Sequence, residues 1–223
     1  MNTNLVIIPA RGRPDKAETA FAALKELSKI SDFLIGLDED DADNYPEIEG
    51  VIREVNPRLR MNGTLNLLVK KYQDKYETIS FMGDDHLVRT EGWDELLYAP
   101  IKERGYGISY GNDLFQGENL PTMVMMSTNI SKSLGFFAPP KLIHLYMDNF
   151  WKIFGQVTQS LTYVPDAIIE HMHYMAGKSK VDALYEEVNS SEIGQHDVQI
   201  FMEYIEEHLK DDAIKFLMTV VKE

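Results

Sequence analysis

The 223 residues carry 22 basic and 36 acidic side chains, a formal charge of -14, which works against a partner gripped mainly through phosphate contacts. There is no cysteine, so disulfides, thiolate catalysis and cysteine-bound metals are excluded together, and 44% hydrophobic with 26% charged residues excludes wholesale disorder. Uncharged stretches such as 119–131 are too short to span a bilayer, and the four apolar residues 5–8 make no signal peptide, so the expectation is a soluble, cytoplasmic protein of one domain with no membrane partner.

In chain order, Leu5-Val6-Ile7-Ile8 reads as a buried strand. Pro14 and Asp15 then open a helix, with Asp15 as N-cap and Glu18 completing a capping box. Ala17, Phe21, Leu24 and Leu27 share one face of that helix, which should pack on a sheet. The run 33–37 predicts a second strand, followed by the mostly solvated acidic loop 38–43. A weaker third strand follows at 51–55. Thr64 is placed to cap the next helix, in which Leu65, Leu68, Val69, Tyr72 and Tyr76 recur every three or four residues. Residues 78–82 return as a strand and stop at Gly83-Asp84-Asp85-His86.

Strands alternating with helices imply a parallel sheet covered on both faces, whose ligands bind beyond the carboxyl ends of the strands. The second half is less regular. It shows helix signals at 93–102 and 145–154, strand signals at 108–110, 122–126, 161–164 and 167–169, and a C-terminal helix or helix pair over 197–221.

Polar clusters fall just after the predicted strands. Adjacent carboxylates at Asp84 and Asp85 suit a hard divalent cation, Mg2+ or Mn2+, although Gly-Asp-Asp is also good turn chemistry. Arg11 and Arg13, beside Pro9 and Gly12, with Arg60 further on, are able to clamp a diphosphate. Asp38, at the end of the second strand, is placed to accept a hydrogen bond from a base or a ribose. His144 and Asp148 are four apart, so a helix would put both on one face. Aromatic neighbours there would desolvate Asp148 and raise its pKa toward that of a useful base. His171 and His173 alternate, so a strand would turn both imidazoles to one ion. Lys178 and Lys180 follow in a glycine-containing loop suited to a flap that closes over phosphate.

The segments Ile7-Ile8-Pro9-Ala10-Arg11-Gly12-Arg13-Pro14, Gly36-Leu37-Asp38, Arg60-Met61-Asn62-Gly63-Thr64-Leu65-Asn66 and Phe81-Met82-Gly83-Asp84-Asp85 together resemble nucleotide-sugar glycosyltransferases of the GT-A fold, family-2-like and, as one option, phage-encoded. The resemblance covers roughly residues 4–180 and rests on the order of short segments. It implies an α/β fold with a Rossmann-like, mostly parallel central sheet flanked by helices and a C-terminal helical extension. The single domain 1–223 would divide into a nucleotide-binding half to about residue 90 and an acceptor-binding half beyond it.

By the same resemblance, Pro9, Arg11, Arg13 and Asp38 hold the nucleotide. Arg60, Gly63 and Asn66 border the ribose and diphosphate, and Asp84 lies near the ribose. Asp85 binds the metal, and His171, with His173 as the other candidate, completes its shell. Gly83 replaces the first acid of the usual Asp-x-Asp motif. Asp148 matches the general base of inverting members, and Lys178 or Lys180 would steady the departing nucleoside diphosphate. The implied reaction is metal-dependent transfer, with Mn2+ or Mg2+, from a nucleotide-sugar donor (UDP-sugar favoured) to an acceptor hydroxyl.

The acceptor is expected to be a saccharide, with a hydroxylated DNA base as the less favoured choice, where Arg58, Arg60, Lys70 and Lys71 would supply a local basic patch. Two other readings stand beside this one. The opening segment also resembles sugar-phosphate nucleotidyltransferases, and a non-catalytic nucleotide-sugar-binding module would keep the same fold. The sequence leaves the oligomeric state open.

Overall fold

The computed structural model describes residues 3–221. Strand β1 (Asn4–Ala10) is buried at all but one position, as a central strand covered on both faces must be. Strands β2 (Ser31–Asp38) and β3 (Val51–Asn56) add to one side of it in parallel, and β4 (Thr78–Phe81) adds in parallel to the other. Helix α1 (Pro14–Leu27) links β1 to β2, and helix α2 (Arg60–Tyr72) links β3 to β4. The chain continues through β5 (His86–Val88), α3 (Trp93–Arg104), β6 (Ile108–Asn112), β7 (Val124–Ser127), α4 (Thr128–Leu134), α5 (Met147–Val157) and β8 (Leu161–His171).

Among the described residues eight strands form one sheet in the order β3-β2-β1-β4-β7-β6-β8-β5. Parallel pairing predominates, which agrees with the expected α/β class, but the sheet is mixed. Strand β7 runs antiparallel to β4 and β6, and β5 antiparallel to β8. The C-terminal region forms α6 (Ala183–Val188), α7 (Ser191–Glu207) and α8 (Leu209–Val220), the last two being the expected helix pair. Phe216 of α8 is fully buried and packs on Phe154 of α5 and edge-on to Tyr106. Among the described residues, no helix is long and apolar enough to cross a membrane.

Several local expectations are corrected. Helix α1 starts at Pro14 with Arg13 as its N-cap, so Asp15 lies in the first turn and no capping box forms. Proline at the first helical position brings a preset φ and no N–H to satisfy, which places the N-cap two residues earlier. Thr64 is no cap either: α2 begins at Arg60, and Thr64 is buried inside it, packed beneath Gly36 of β2. A Cβ on Gly36 would come within 2.7 Å of Leu68 Cδ1, so that glycine lets α2 lie close on the sheet. Strand β5 and helices α4 and α6 give no clear signal in the sequence.

The two strands expected at 161–164 and 167–169 are one strand, β8. Its pairing with β6 jumps from Gly111↔Val164 to Asn112↔Ile168, which makes room for the bulge containing Pro165. Gly111 sits at that jump, and a Cβ there would lie 2.2 Å from the Ala167 carbonyl oxygen and 2.5 Å from Ile169 Cδ1. Gly111→Ala is therefore expected to destabilise the fold by roughly 1–3 kcal/mol or more in urea denaturation, as overpacking does. A change below about 0.5 kcal/mol would show that the bulge yields freely.

Candidate active site

In the strand order 3-2-1-4, succession along the chain runs outward through β2 and β3 and then returns to the far side of β1. The reversal opens a crevice between the carboxyl ends of β1 and β4, where open α/β sheets take their ligands. Strand β1 delivers Pro9, Arg11 and Arg13 to it, and β4 delivers Gly83-Asp84-Asp85. Arg13 Nη1 meets Asp84 Oδ1 across the crevice at 3.3 Å. The cavity measures about 270 Å3 and also takes in Asp38, His144, Asp148, His171 and His173, so residues more than a hundred positions apart share one cleft.

The acidic loop after β2 does more than face solvent. Arg11 donates two hydrogen bonds to Asp40 (2.6 and 2.8 Å) and one to Asp38 (2.9 Å). Gly12, at a φ of 68°, donates its N–H to Asp41 Oδ2 at 2.6 Å. These acids hold the loop after β1 open toward the cleft. Burial raises the Asp38 carboxyl above its ordinary pKa, against the pull of Arg11.

At the end of β4 the two neighbouring carboxyls are driven apart. Burial, reinforced by the charge of Asp85, pushes Asp84 up to about 7, with Arg13 opposing. Burial would also raise Asp85, but His171 and His86 hold it well below the usual carboxylate range. Asp85 Oδ1 lies 3.5 Å from His86 Nδ1, and Oδ2 lies 3.6 Å from His171 Nε2. The two rings stack with centroids 4.2 Å apart.

Asp85, His86 and His171 present three donor atoms within 4.8 Å of one another. Two ligands about 2.1 Å from one octahedral ion sit about 3 to 4.2 Å apart, a range that includes both separations from Asp85. They are too long for good hydrogen bonds. Burial, then the neighbouring His86, lowers the pKa of His171, so its ring is disposed to be neutral and to offer a lone pair. One carboxylate and two imidazoles form a donor set that fits a divalent cation.

His86 is the member of this cluster that sequence reasoning missed. The antiparallel register of β5 and β8 sets His86 directly opposite His171, and nothing local in the sequence announces that pairing. His173, by contrast, lies beyond the end of β8, so the expected shared strand face does not exist. It caps a short 3-10 turn through Met175 N, and its ring stacks on Phe115 at 5.5 Å while remaining 4.9 Å from that of His171.

His144 and Asp148 do not share a helical face. Tyr146 adopts a left-handed φ of 67° and Met147 opens α5, so His144 lies before the helix and Asp148 in its first turn. Both still line the cleft. Burial raises the pKa of Asp148, as its aromatic surroundings lead one to expect, and depresses His144 to about 4. The buried carboxylate of Asp197 in α7 fixes the 143–145 segment by accepting the N–H groups of Ile143, His144 and Leu145 at 2.8–2.9 Å. The C-terminal helices thereby set the far wall of the cleft.

Other expected residues fall elsewhere. Gly63 and Asn66 border a second hollow on the other side of α2, and Asn66 spends its side chain on Phe137 N, Ala138 N and Ala138 O. Lys178 is paired with Glu170 at 2.8 Å, and Lys180 is exposed; neither lines the cleft. Arg58 and Arg60 border it, but both are engaged by Glu187 of α6. Asp182, the N-cap of α6, takes Arg13 in a two-pronged contact of 2.6 and 2.8 Å.

No protein-family model matches the chain, and no curated protein sequence matches it. Solved structures do. A Pyrobaculum calidifontis mannosyltransferase in complex with GDP-Man and Mn2+ superposes with a TM-score of 0.59 at 13% identity, over 99% of this chain and 73% of that one. The Mycobacterium tuberculosis glucosyl-3-phosphoglycerate synthase with Mn2+, UDP and phosphoglyceric acid gives 0.60 at 12% identity, over 91% and 78%. S. aureus TarS gives 0.58 at 12% identity over 92% of this chain, which spans only 43% of TarS. The fold is that of GT-A glycosyltransferases.

Proposed function

We propose that this protein transfers a sugar from a nucleoside diphosphate sugar, UDP-linked by preference, to an acceptor hydroxyl with inversion, in a reaction that requires Mn2+ or Mg2+. The observation that carries this reading is one cleft of a GT-A fold holding the Asp85-His86-His171 cluster, the arginine loop after β1 and the buried Asp148. The complexes of the similar structures with Mn2+ and UDP or GDP-Man support it.

The division of labour follows the sheet: the part up to about residue 90 takes the nucleotide, and the later part takes the acceptor. Asp38 and Arg11 meet the nucleoside, and Arg13 and Arg60 face the diphosphate. Asp84 stands near the ribose, and Asp85, His86 and His171 hold the cation, with His173 bordering that site. A divalent cation held there would supply positive charge to a departing diphosphate. Asp148 takes the proton from the acceptor hydroxyl, and its desolvation keeps it basic enough to do so. With a base on the acceptor side and no separate nucleophile assigned, direct displacement gives inversion. A saccharide is the favoured acceptor. A DNA base is less so, because Arg58, Arg60 and Lys71 of the basic patch are already matched by Glu187 and Glu54.

Helix α6 closes one side of the cleft through Leu184, Tyr185 and Val188. Asp182 and Glu187 sit on the arginines that the diphosphate would use, so donor binding exchanges carboxylate partners for phosphate. The carboxylates of Asp182 and Glu187 are each about a third exposed or more, and pairs made by such surface groups are each worth about 0.2–1 kcal/mol. The double variant Asp182→Asn, Glu187→Gln is accordingly expected to lower the donor KM roughly two- to thirtyfold. A raised KM would instead make α6 part of the donor site.

The decisive experiment incubates the protein with UDP-sugars and GDP-mannose, Mn2+ and a panel of saccharides, and follows nucleoside diphosphate release. Release that requires metal supports the proposal. Pyrophosphate release from UTP and a sugar phosphate would make the protein a nucleotidyltransferase. Nucleotide binding without transfer or slow hydrolysis would make it a binding module.

A further inference from the structure

After β6 the chain turns around the carboxylate of Asp113, which is only 1% exposed. Its Oδ1 accepts the N–H groups of Phe115, Gln116 and Gly117 at 2.7–2.9 Å, and Asn112 Oδ1 accepts that of Leu114 at 3.0 Å. Leu114 is held at a φ of 54°, in the left-handed region that residues with a Cβ adopt at a cost. Buried polar bonds and a strained residue therefore fix a turn whose apolar side chains stay in water, Leu114 47% and Phe115 37% exposed. The Phe115 ring stacks on His173 at 5.5 Å and stands edge-on to His171 at 6.4 Å. Lys178 Nζ donates to the Leu114 carbonyl at 3.4 Å, which ties the turn to the 173–178 segment. Tyr174 and Tyr185 pack edge-on to each other, each with its ring within 5.7 Å of that of His173. Because His173 and Tyr185 line the cleft, these rings form a ledge that continues its wall outward.

The charges of the cleft are divided just as sharply. Its arginines all come from the chain before residue 61, and each is paired with a carboxylate. Among the described residues, the lining from Thr122 onward contains no lysine or arginine and a single carboxylate, Asp148. Lys178, beside the ledge, is paired with Glu170 at 2.8 Å. A phosphate or carboxylate arriving on this side would lose water, meet no basic side chain in the wall and face Asp148. We propose that Phe115 is a specificity-determining residue for the acceptor, carrying one sugar ring of an uncharged saccharide whose hydroxyl reaches into the cleft. The inference rests on the transfer reaction proposed above. A sugar ring has C–H groups on its faces and hydroxyls around its edge. The C–H face buries apolar area on an aromatic ring and meets the negative π-face with its weakly positive hydrogens. The hydroxyls of Tyr174 and Tyr185 are on hand for the edge, and an alkyl chain would cover them without giving them partners.

Saturation-transfer NMR on the full chain, with Mg2+ and UDP present, tests lactose, maltose and cellobiose against glucose 6-phosphate and glucuronate. At least one uncharged disaccharide should bind in preference to both anions, through the C–H protons of one ring face. Phe115→Ala should weaken that binding about tenfold, and Phe115→Trp, which keeps a flat ring, should restore it. UDP affinity should be the same in the wild type and both variants. In a transfer assay Phe115→Ala should raise the acceptor KM by a similar factor and leave the donor KM unmoved. Preference for either anion would overturn the proposal. So would binding of octyl glucoside by a protein that ignores all the disaccharides, since that puts an alkyl chain on the ledge. No binding of any sugar at millimolar concentration, or unchanged affinity in a folded Phe115→Ala protein, would overturn it as well. The two readings fail separately. If UDP-sugars are never turned over but a disaccharide binds through Phe115, the transfer reaction falls and the ledge stands. If transfer proceeds and Phe115→Ala keeps the wild-type acceptor KM, the ledge falls and the transfer reaction stands.

Discussion

Asp85→Ala is expected to abolish Mn2+-dependent stabilisation by UDP or a UDP-sugar in a thermal-shift assay and to lower transfer by about a thousandfold or more, the scale of losing the main electrostatic stabiliser of a leaving group. The carboxylate is the only anion in the cluster and stands within 3.6 Å of both imidazoles, so without it only the two rings remain as donors. The fold should tolerate the change. Removing Asp85 takes away the charge that helps push Asp84 up to about 7, leaving Asp84 with Arg13 as its partner. Asp84 should then titrate lower in the variant, which NMR of its carboxyl carbon would follow. Metal-dependent stabilisation that survives in Asp85→Ala would remove the cation from this site altogether.

Asp148→Asn should lower kcat about 10²- to 10⁴-fold while donor KM changes less than about twofold, because a general base works on the acceptor proton and not on the nucleotide. The pH dependence gives a second readout. The base must be ionised, and burial raises its pKa, so kcat should fall as pH drops through a value above the ordinary aspartate pKa of about 3.9. The residual rate of Asp148→Asn should lack that acid limb. A variant that retains wild-type kcat and the same limb would assign the proton to another group. His144, also in the cleft and depressed to about 4 by burial, is the residue to examine next.

The first half of the fold was legible because its signals are local. Apolar runs marked β1, β2 and β4, and spacings of three and four residues marked the buried faces of α1 and α2. Boundary details failed where a neighbour overrode a preference. Proline set the start of α1, and close packing of α2 on Gly36 buried Thr64 in mid-helix. In the second half, antiparallel β7 and the bulged β8 obey no simple alternation. There the sequence showed segments but not their partners.

What the sequence by itself determined is the chemistry available at each strand end: arginines after β1, an acid after β2, paired acids after β4, histidines at the end of β8 and an aspartate within an aromatic run. Those properties depend on residues a few positions apart, which periodicity and turn preferences can read. Only the tertiary structure decided which of them meet. The β5–β8 register brought His86 to His171, α6 laid Asp182 and Glu187 over the arginines, and α2 turned Gly63 and Asn66 away from the cleft. Each of these depends on pairings across tens to more than a hundred residues, where strand register and burial of a whole face choose the neighbour and no local pattern encodes it.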